Sequence, residues 1–176
     1  MKFSRTWEMP NANTFSIAPI AKMVNRYLKD SKVSIDPFAR NSRFATYRND
    51  MNPKTSAEYH MHAVDFVNML YKRGVKADMA LLDPPYSPTQ VKEHYQSTGL
   101  EPVLSDYQNV VSPVNDALLR VLTRNAIVLS FGWNSNGMGI NRGFELIEVQ
   151  LVAHGRAHND TICIAERRLK REGFGF

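Results

Sequence analysis

An acidic side chain, two prolines and an aromatic ring follow one another in the tetrapeptide Asp83-Pro84-Pro85-Tyr86. The apolar run of residues 79–82 before it is typical of a short buried strand, which the prolines end. Proline has a fixed φ and no N–H, so the backbone here is stiff and its carbonyl groups stay free to accept hydrogen bonds. These groups suit a planar base with an exocyclic amine, from which Asp83 and the Pro84 carbonyl would accept while Tyr86 stacks on the ring. A plain turn after a buried strand is the alternative.

Two more carboxylates follow predicted strands upstream of the tetrapeptide. Residues 33–35 are predicted to form a first strand, with Asp36 at its carboxyl end. Residues 44–50, rich in aromatic and β-branched side chains, are predicted to form a second strand that ends on Asp50. In an open α/β sheet, ligands lie beyond the carboxyl ends of the strands, and an acid after the second strand often binds a ribose. We therefore expect these carboxylates to share one site.

The tetrapeptide resembles the catalytic motif of the amino-methyltransferases that act on adenine N6. Asp36-Pro37-Phe38 resembles the cofactor motif of the same family, and the likeness extends over residues 14 to 168. The resemblance implies S-adenosylmethionine as the cofactor and a methyltransferase version of the α/β fold. It also implies catalytic roles for Asp83, Pro84 and Tyr86, with Pro85 beside the bound base.

The same resemblance assigns the surroundings of the cofactor. Asp36 would meet its methionine part, Asp50 its ribose and Asp65 its adenine, and a short strand is expected around Asp65. An exposed position on a helix is the alternative for Asp65, because acidic side chains are ordinarily solvated. The side chains expected to pack against the cofactor are aromatic: Phe15, from a segment that closes over the methionine end, Phe38 and Phe66.

One departure from the family pattern concerns the turn after the first strand. Arg40 and Ser42 stand where the family usually carries glycines. Glycine allows a positive φ and close approach of the backbone to a ligand. Asn41 could adopt the left-handed conformation instead, and Arg40 could face solvent or a nucleic-acid phosphate.

Two later loops are candidates for substrate contact. Residues 130–139 are rich in glycine and asparagine, and Trp133 and Asn136 are expected to form a wall of the base pocket. A surface loop whose glycines serve only turns is an equal alternative. The connection 153–160 contains two histidines and Arg156, which favours contact with a phosphate or a base. No metal is expected, since a metal site needs a more complete ligand set at defined spacing.

Strands and helices alternate along the chain. Residues 18–28 place their apolar groups on one helical face, and residues 56–71 are predicted to be helical or mixed. Another helix is predicted to begin with Ser112 as its N-cap. Residues 146–152 and 161–165 are β-rich and favour an antiparallel hairpin. The pattern predicts an α/β fold, a doubly wound, mostly parallel sheet with an antiparallel C-terminal hairpin.

Length and composition narrow the class further. The 176 residues are 43% hydrophobic, which predicts a single domain over 1–176 with a full core. The family resemblance implies that this is the catalytic domain, and no stretch is large enough for the separate target-recognition domain that family members usually carry. Its single cysteine, Cys163, lies in an apolar run and is expected to be a buried structural thiol. No apolar segment is long enough for a membrane span, and the N-terminus has no signal-peptide pattern, so a cytoplasmic location is expected. A net charge of +5 is compatible with a polyanionic partner.

These observations together predict an S-adenosylmethionine-dependent adenine-N6 methyltransferase acting on DNA, on a flipped-out or single-stranded base. The same chemistry on RNA, including ribosomal RNA, is the first alternative. A non-catalytic nucleic-acid-binding module on a degenerate methyltransferase fold is the second. The N4-cytosine branch is less favoured, because it usually has serine in place of Asp83. Residues 87–112, which lack periodicity, are expected to be mobile and to cover the base once nucleic acid binds.

Overall fold

The computed structural model describes residues 1–85, 111–155 and 158–169. Tyr86, Arg156 and nearly all of the aperiodic segment 87–112 lie outside these described residues, so the predictions made for them stay predictions. None of the helices in the described part of the chain is long and apolar enough to cross a membrane.

The described residues build one mixed sheet with the spatial order β1-β6-β7-β5-β4-β2-β3. Its strands are β1 (Lys2–Trp7), β2 (Ser34–Asp36), β3 (Tyr47–Arg48), β4 (Ala77–Leu82), β5 (Leu122–Gly132), β6 (Phe144–Ala153) and β7 (Thr161–Arg168). All neighbours pair in parallel except β7, which is antiparallel to both β5 and β6. The predicted C-terminal hairpin is therefore present.

In the described part of the chain, the two faces of the sheet are covered by the helices α1 (Ala18–Leu28), α2 (Ala63–Lys72) and α3 (Val111–Leu118). The packing of strand β4 explains why its residues 79–82 are all apolar. Met79 and Leu81 pack into the cluster that contains the buried side chains of α1, whereas Ala80 and Leu82 pack into the cluster of α2 and α3. Burial on both faces is what parallel central strands of doubly wound sheets show.

The structure corrects two of the predicted elements. A short strand was expected around Asp65, but this residue lies in the first turn of α2. Apolar side chains at Ala63, Phe66, Val67 and Leu70 have the spacing of one helical face, and all four are buried, so the helical period decides this segment. Ser112 is not an N-cap, since it lies inside α3, where its hydroxyl accepts a hydrogen bond from Nη2 of Arg142 (2.6 Å).

Sequence analysis did not predict strand β1, which pairs in parallel with β6 at one edge of the sheet. The strand has no apolar core face, because its half-buried positions are Ser4 and Thr6, while Phe3 and Trp7 are 66% and 63% exposed. The alternation of apolar inward and polar outward residues that identifies a half-buried strand is therefore missing.

A buried carboxylate holds the loop that follows β5. Glu166 on β7 is 4% exposed, and its two oxygens accept hydrogen bonds from the backbone N–H groups of Met138 (2.6 Å) and Gly139 (2.8 Å). At Gly137 an added Cβ would lie 2.0 Å from Oε2 of Glu166 and 2.6 Å from Cδ1 of Ile164. This glycine is required by close packing, which neither interpretation of the loop foresaw.

We expect Gly137→Ala to destabilise the protein, because a methyl group there displaces the buried Glu166 carboxylate. Overpacking of this kind typically costs about 1–3 kcal/mol in the free energy of unfolding. Chemical denaturation measures the loss. Gly74→Ala is the control, since that glycine has open space around it and a φ of +73°, so it reports backbone strain alone. Equal stability of Gly137→Ala and the wild type would contradict the packing account.

Candidate active site

Three carboxylates converge at the carboxyl edge of the parallel strands. Asp36 is the last residue of β2, Asp83 follows β4 directly, and Asp50 comes two residues after β3. Asp36 and Asp50 are 0% and 1% exposed. The negative charges of Asp83 and Asp50 both act on Asp36, so the three side chains form one electrostatic cluster. The structure thus brings together three of the carboxylates that the sequence placed at strand ends.

Asp36 has one oxygen paired and one without a partner. Its Oδ1 accepts a hydrogen bond from the backbone N–H of Phe38 (3.0 Å). Its Oδ2 is buried and has no hydrogen-bond partner among the described residues. Burial raises the pKa of Asp36 well above its ordinary value, the charges of Asp83 and Asp50 raise it further, and the Phe38 hydrogen bond opposes the shift.

Asp83 shows the same pattern. Its Oδ1 is buried without a partner in the described part of the chain. Burial raises the pKa of this carboxyl from 3.8 to about 7, against the hydrogen bond donated by the Thr14 side chain and the positive charge of Arg40. At neutral pH the group is therefore poised between its acceptor and donor forms.

Asp50 differs because backbone groups already occupy its carboxylate. Its Oδ2 accepts from the backbone N–H of Arg40 (3.1 Å), and its Oδ1 accepts from that of Asn52 (2.9 Å). The side chain thus ties the turn after β2 to the turn after β3. Asp50 also lines the larger of two neighbouring cavities, so a ligand could share its remaining lone pairs.

The larger cavity has a volume of about 570 Å³ and the smaller one about 270 Å³. Four residues line both of them: Thr14, Phe38, Arg40 and Asp83. Volumes in this range suit a small-molecule or cofactor site. No group of three or more His, Cys, Asp or Glu side chains that could hold a metal ion is present in the described ranges.

The turn after β2 is left-handed at Arg40, which has a φ of 49°. Asn41, which could have taken this conformation, does not have a positive φ. A left-handed conformation costs a non-glycine residue roughly 1–2 kcal/mol. Besides the backbone bond to Asp50, the Arg40 side chain donates from Nη1 to the carbonyl oxygen of Ala12 (2.6 Å). Arg40 therefore joins the turn to the N-terminal segment across the cavity wall.

Two residues hold this site in place, in structural roles that sequence analysis did not assign to them. Asn49 is buried, and its side-chain amide bonds the carbonyl oxygens of Pro37 and Met61 (both 3.0 Å). His154 is also buried; its Nδ1 donates to the carbonyl oxygen of Glu8 (2.7 Å), fixing the chain that enters the cavity wall. Neither role has a sequence signal, because both bonds join segments through backbone carbonyls.

The predicted contact residues divide into two groups. Those that line a cavity are Phe15, Phe38, Pro84, Pro85 and Trp133. Those that line neither cavity are Asp36, which is fully buried, Asp65, Phe66 and Asn136. Asp65 and Asn136 are exposed, and Phe66 is fully buried against the ring of Tyr59 in the core. Helix α2 explains the placements of Asp65 and Phe66, since it turns Asp65 outward and Phe66 inward.

No family model and no curated protein sequence matches the chain. Solved structures match its fold. NSun6 from Pyrococcus horikoshii, with SFG, is 16% identical (TM-score 0.53; 84% of this chain, 51% of that chain). SMU.776 complexed with SAH is 10% identical, with a TM-score of 0.51, and the match covers 83% of this chain and 48% of that chain. The N-methyltransferase NodS from Bradyrhizobium japonicum WM9 is 10% identical, with a TM-score of 0.51, and the match covers 92% of this chain and 100% of that chain.

The chain spans about half the length of NSun6 and SMU.776 and the full length of NodS. The fold is that of the class I, Rossmann-like methyltransferases, and the predicted fold class is confirmed.

We expect Asp83→Asn to change how stability depends on pH. The folded protein holds the Asp83 proton up to about pH 7, whereas an ordinary carboxyl loses it near 3.8. The free energy of unfolding of the wild type should therefore fall as pH rises through this window. The variant lacks this contribution, so its stability relative to the wild type should increase by roughly 1–3 kcal/mol between pH 4 and 8. Urea denaturation at both pH values measures the difference, and a difference that does not vary with pH would contradict the raised pKa.

Proposed function

We propose that this chain is an S-adenosylmethionine-dependent methyltransferase that modifies the exocyclic amine of adenine in a nucleic acid. The observation that carries the proposal is the buried Oδ1 of Asp83, an acceptor without a described partner at the wall of a 570 Å³ cavity. An orphaned buried acceptor costs free energy unless a ligand donates to it. An amine N–H is a donor of the required kind.

The carboxylates fit the cationic part of the cofactor. S-adenosylmethionine carries a sulfonium and an ammonium group, and the partnerless Oδ2 of Asp36 suits one such charge. The cofactor, when bound, supplies an activated methyl group. A cationic ligand would favour ionisation of Asp36, whose pKa is raised mainly by burial. The complex of the structural neighbour SMU.776 with SAH supports the same class of ligand.

The residues after β4 would orient the acceptor amine. Asp83 and the carbonyl group of Pro84 would accept its two hydrogens, favouring a tetrahedral nitrogen with its lone pair directed at the methyl group. With a pKa of about 7, Asp83 can also hold the proton that the amine loses after transfer. Tyr86 stays the expected stacking partner of the base.

We propose either DNA or RNA as the nucleic acid that carries the adenine, since the sequence motif that favours DNA is compatible with the same chemistry on RNA. The net charge of +5 suits either polyanion. A base within a duplex cannot reach a site of this kind, so a single-stranded or flipped-out adenine is required.

We expect Asp83→Ala to reduce methyl transfer by roughly 100-fold or more, because it removes a preorganised acceptor for the amine. Mass spectrometry of nucleosides after incubation with single-stranded RNA and DNA oligonucleotides measures the transfer and identifies the substrate. Asp65→Ala is the matched control, since that carboxylate is exposed and lines neither cavity.

Wild-type turnover in Asp83→Ala would show that the tetrapeptide is not the catalytic motif. A loss in Asp65→Ala of similar size would restore the sequence-based assignment of that residue. Methylation of RNA alone, of DNA alone or of both would decide the substrate. No methylated adenine from either polymer would favour the non-catalytic binding module.

Asp36→Asn should leave the fold intact but weaken cofactor binding by about 10- to 100-fold. The reason is that burial raises the pKa of Asp36 and so favours the neutral carboxyl, which an amide mimics closely, whereas a cationic ligand favours the ionised form. Isothermal titration calorimetry with S-adenosylmethionine gives the affinities, and thermal unfolding provides the control for folding. Unchanged affinity in a folded variant would move the cofactor away from Asp36.

A further inference from the structure

The carboxylate cluster is accompanied by one side chain of fixed positive charge. Among the described residues, Arg40 is the only lysine or arginine that lines either cavity. The groups around it include three carboxyls: Asp50 and Asp83 line the larger cavity with it, and Asp36 lies behind them. A lone guanidinium at the wall of an acidic site indicates that the ligand has an anionic group as well as cationic ones.

The position of Arg40 is defined by contacts at both of its ends. Its backbone N–H donates to Oδ2 of Asp50 (3.1 Å), and Nη1 donates to the carbonyl oxygen of Ala12 (2.6 Å). The side chain thereby lies where the two cavities meet, and its charge reaches Asp83. In the described part of the structure, one of the N–H groups of the guanidinium donates to Ala12. The guanidinium has five N–H donors, so others can bind a ligand.

The backbone at Arg40 adds an independent argument. Its φ of 49° is left-handed, a conformation that glycine adopts without strain. A strained non-glycine residue that persists at a ligand site is a reason to look for a function of its side chain. The side chain here reaches both cavities, so the cost of the conformation has a functional explanation in what the guanidinium binds.

We propose that Arg40 binds the carboxylate of the cofactor's methionine part, a role that a glycine in this turn could not perform. The inference rests on the proposed function, since it assumes S-adenosylmethionine as the ligand. The sulfonium and ammonium groups match the acidic side chains, whereas the carboxylate would be repelled by them without a nearby cation. Arginine is suited to this task, because its planar fork of donors matches the two oxygens of a carboxylate.

The test compares two ligands that differ only in this carboxylate: S-adenosylmethionine and decarboxylated S-adenosylmethionine. Calorimetric titration of the wild type should show about 10- to 100-fold tighter binding of the carboxylated ligand. Arg40→Gly should bind both ligands with the lower affinity. This variant keeps the turn, because glycine accepts the positive φ without strain, and thermal unfolding checks that it is folded. Arg43→Ala is the control, an exposed arginine of the same segment that lines neither cavity.

Each other outcome overturns the inference in a recognisable way. Equal affinities of the wild type for the two ligands would show that no group of the protein recognises the carboxylate. Equal weakening of both ligands by Arg40→Gly would assign Arg40 an indirect role through Ala12 or Asp83. Unchanged cofactor affinity with weaker binding of an RNA oligonucleotide would make Arg40 a phosphate contact. If the wild type binds neither ligand, the proposed function fails and the inference fails with it.

Discussion

The burial of three carboxylates at one edge of the sheet is the constraint on which the rest of this structure depends. Removing a carboxylate from water is costly unless it is paired or protonated. Asp50 meets the requirement through two backbone N–H groups, whereas Asp36 and Asp83 each keep a buried oxygen without a partner among the described residues. Raised carboxyl pKa values are typical of functional sites, because they lower the stability of the folded protein as the pH rises towards neutral and are therefore not explained by stability.

The fold creates this cluster through strand order and through a few cross-links. Strands β2 and β4 are adjacent and parallel, so their carboxyl ends bring Asp36 and Asp83 to the same edge. The side-chain amide of Asn49 donates to the carbonyl oxygens of Pro37, after β2, and Met61, before α2. The His154 ring donates to the carbonyl oxygen of Glu8, just before the chain lines the larger cavity. The cavity is thus lined by segments that are far apart in sequence but joined by buried hydrogen bonds.

How much of this could be predicted depended on the kind of signal that each residue carries. Asp83 follows an apolar run buried on both faces of the sheet, and Asp36 follows the short run 33–35 with two β-branched residues, so the local pattern located both at strand ends. The strand predicted around Asp65 was wrong, because Asp65 lies on the exposed side of a helix whose inner face is formed by Phe66 and its buried neighbours. The resemblance-based expectation for Phe66 likewise assumed a position at the cofactor, while packing places its ring in the core.

Other features had no local signal at all. Strand β1 has no apolar core face, and the hydrogen bonds of Asn49 depend on backbone carbonyls brought together only by the fold. The departure at Arg40 was visible in the sequence, but the left-handed backbone could not be assigned to it rather than to Asn41, because asparagine tolerates that conformation better. Tertiary contacts with Asp50 and Ala12 decide the outcome.

The central claim is that a cationic cofactor binds beside these buried carboxyl groups. The release of protons on binding tests this claim most directly. Calorimetric titration of S-adenosylmethionine near pH 6.5, in two buffers with different enthalpies of ionisation, reports the protons exchanged. The account predicts binding with net release of protons, because the ligand's charges lower the raised pKa values of Asp36 and Asp83. Absence of binding, or binding with a heat that does not depend on the buffer, would contradict it.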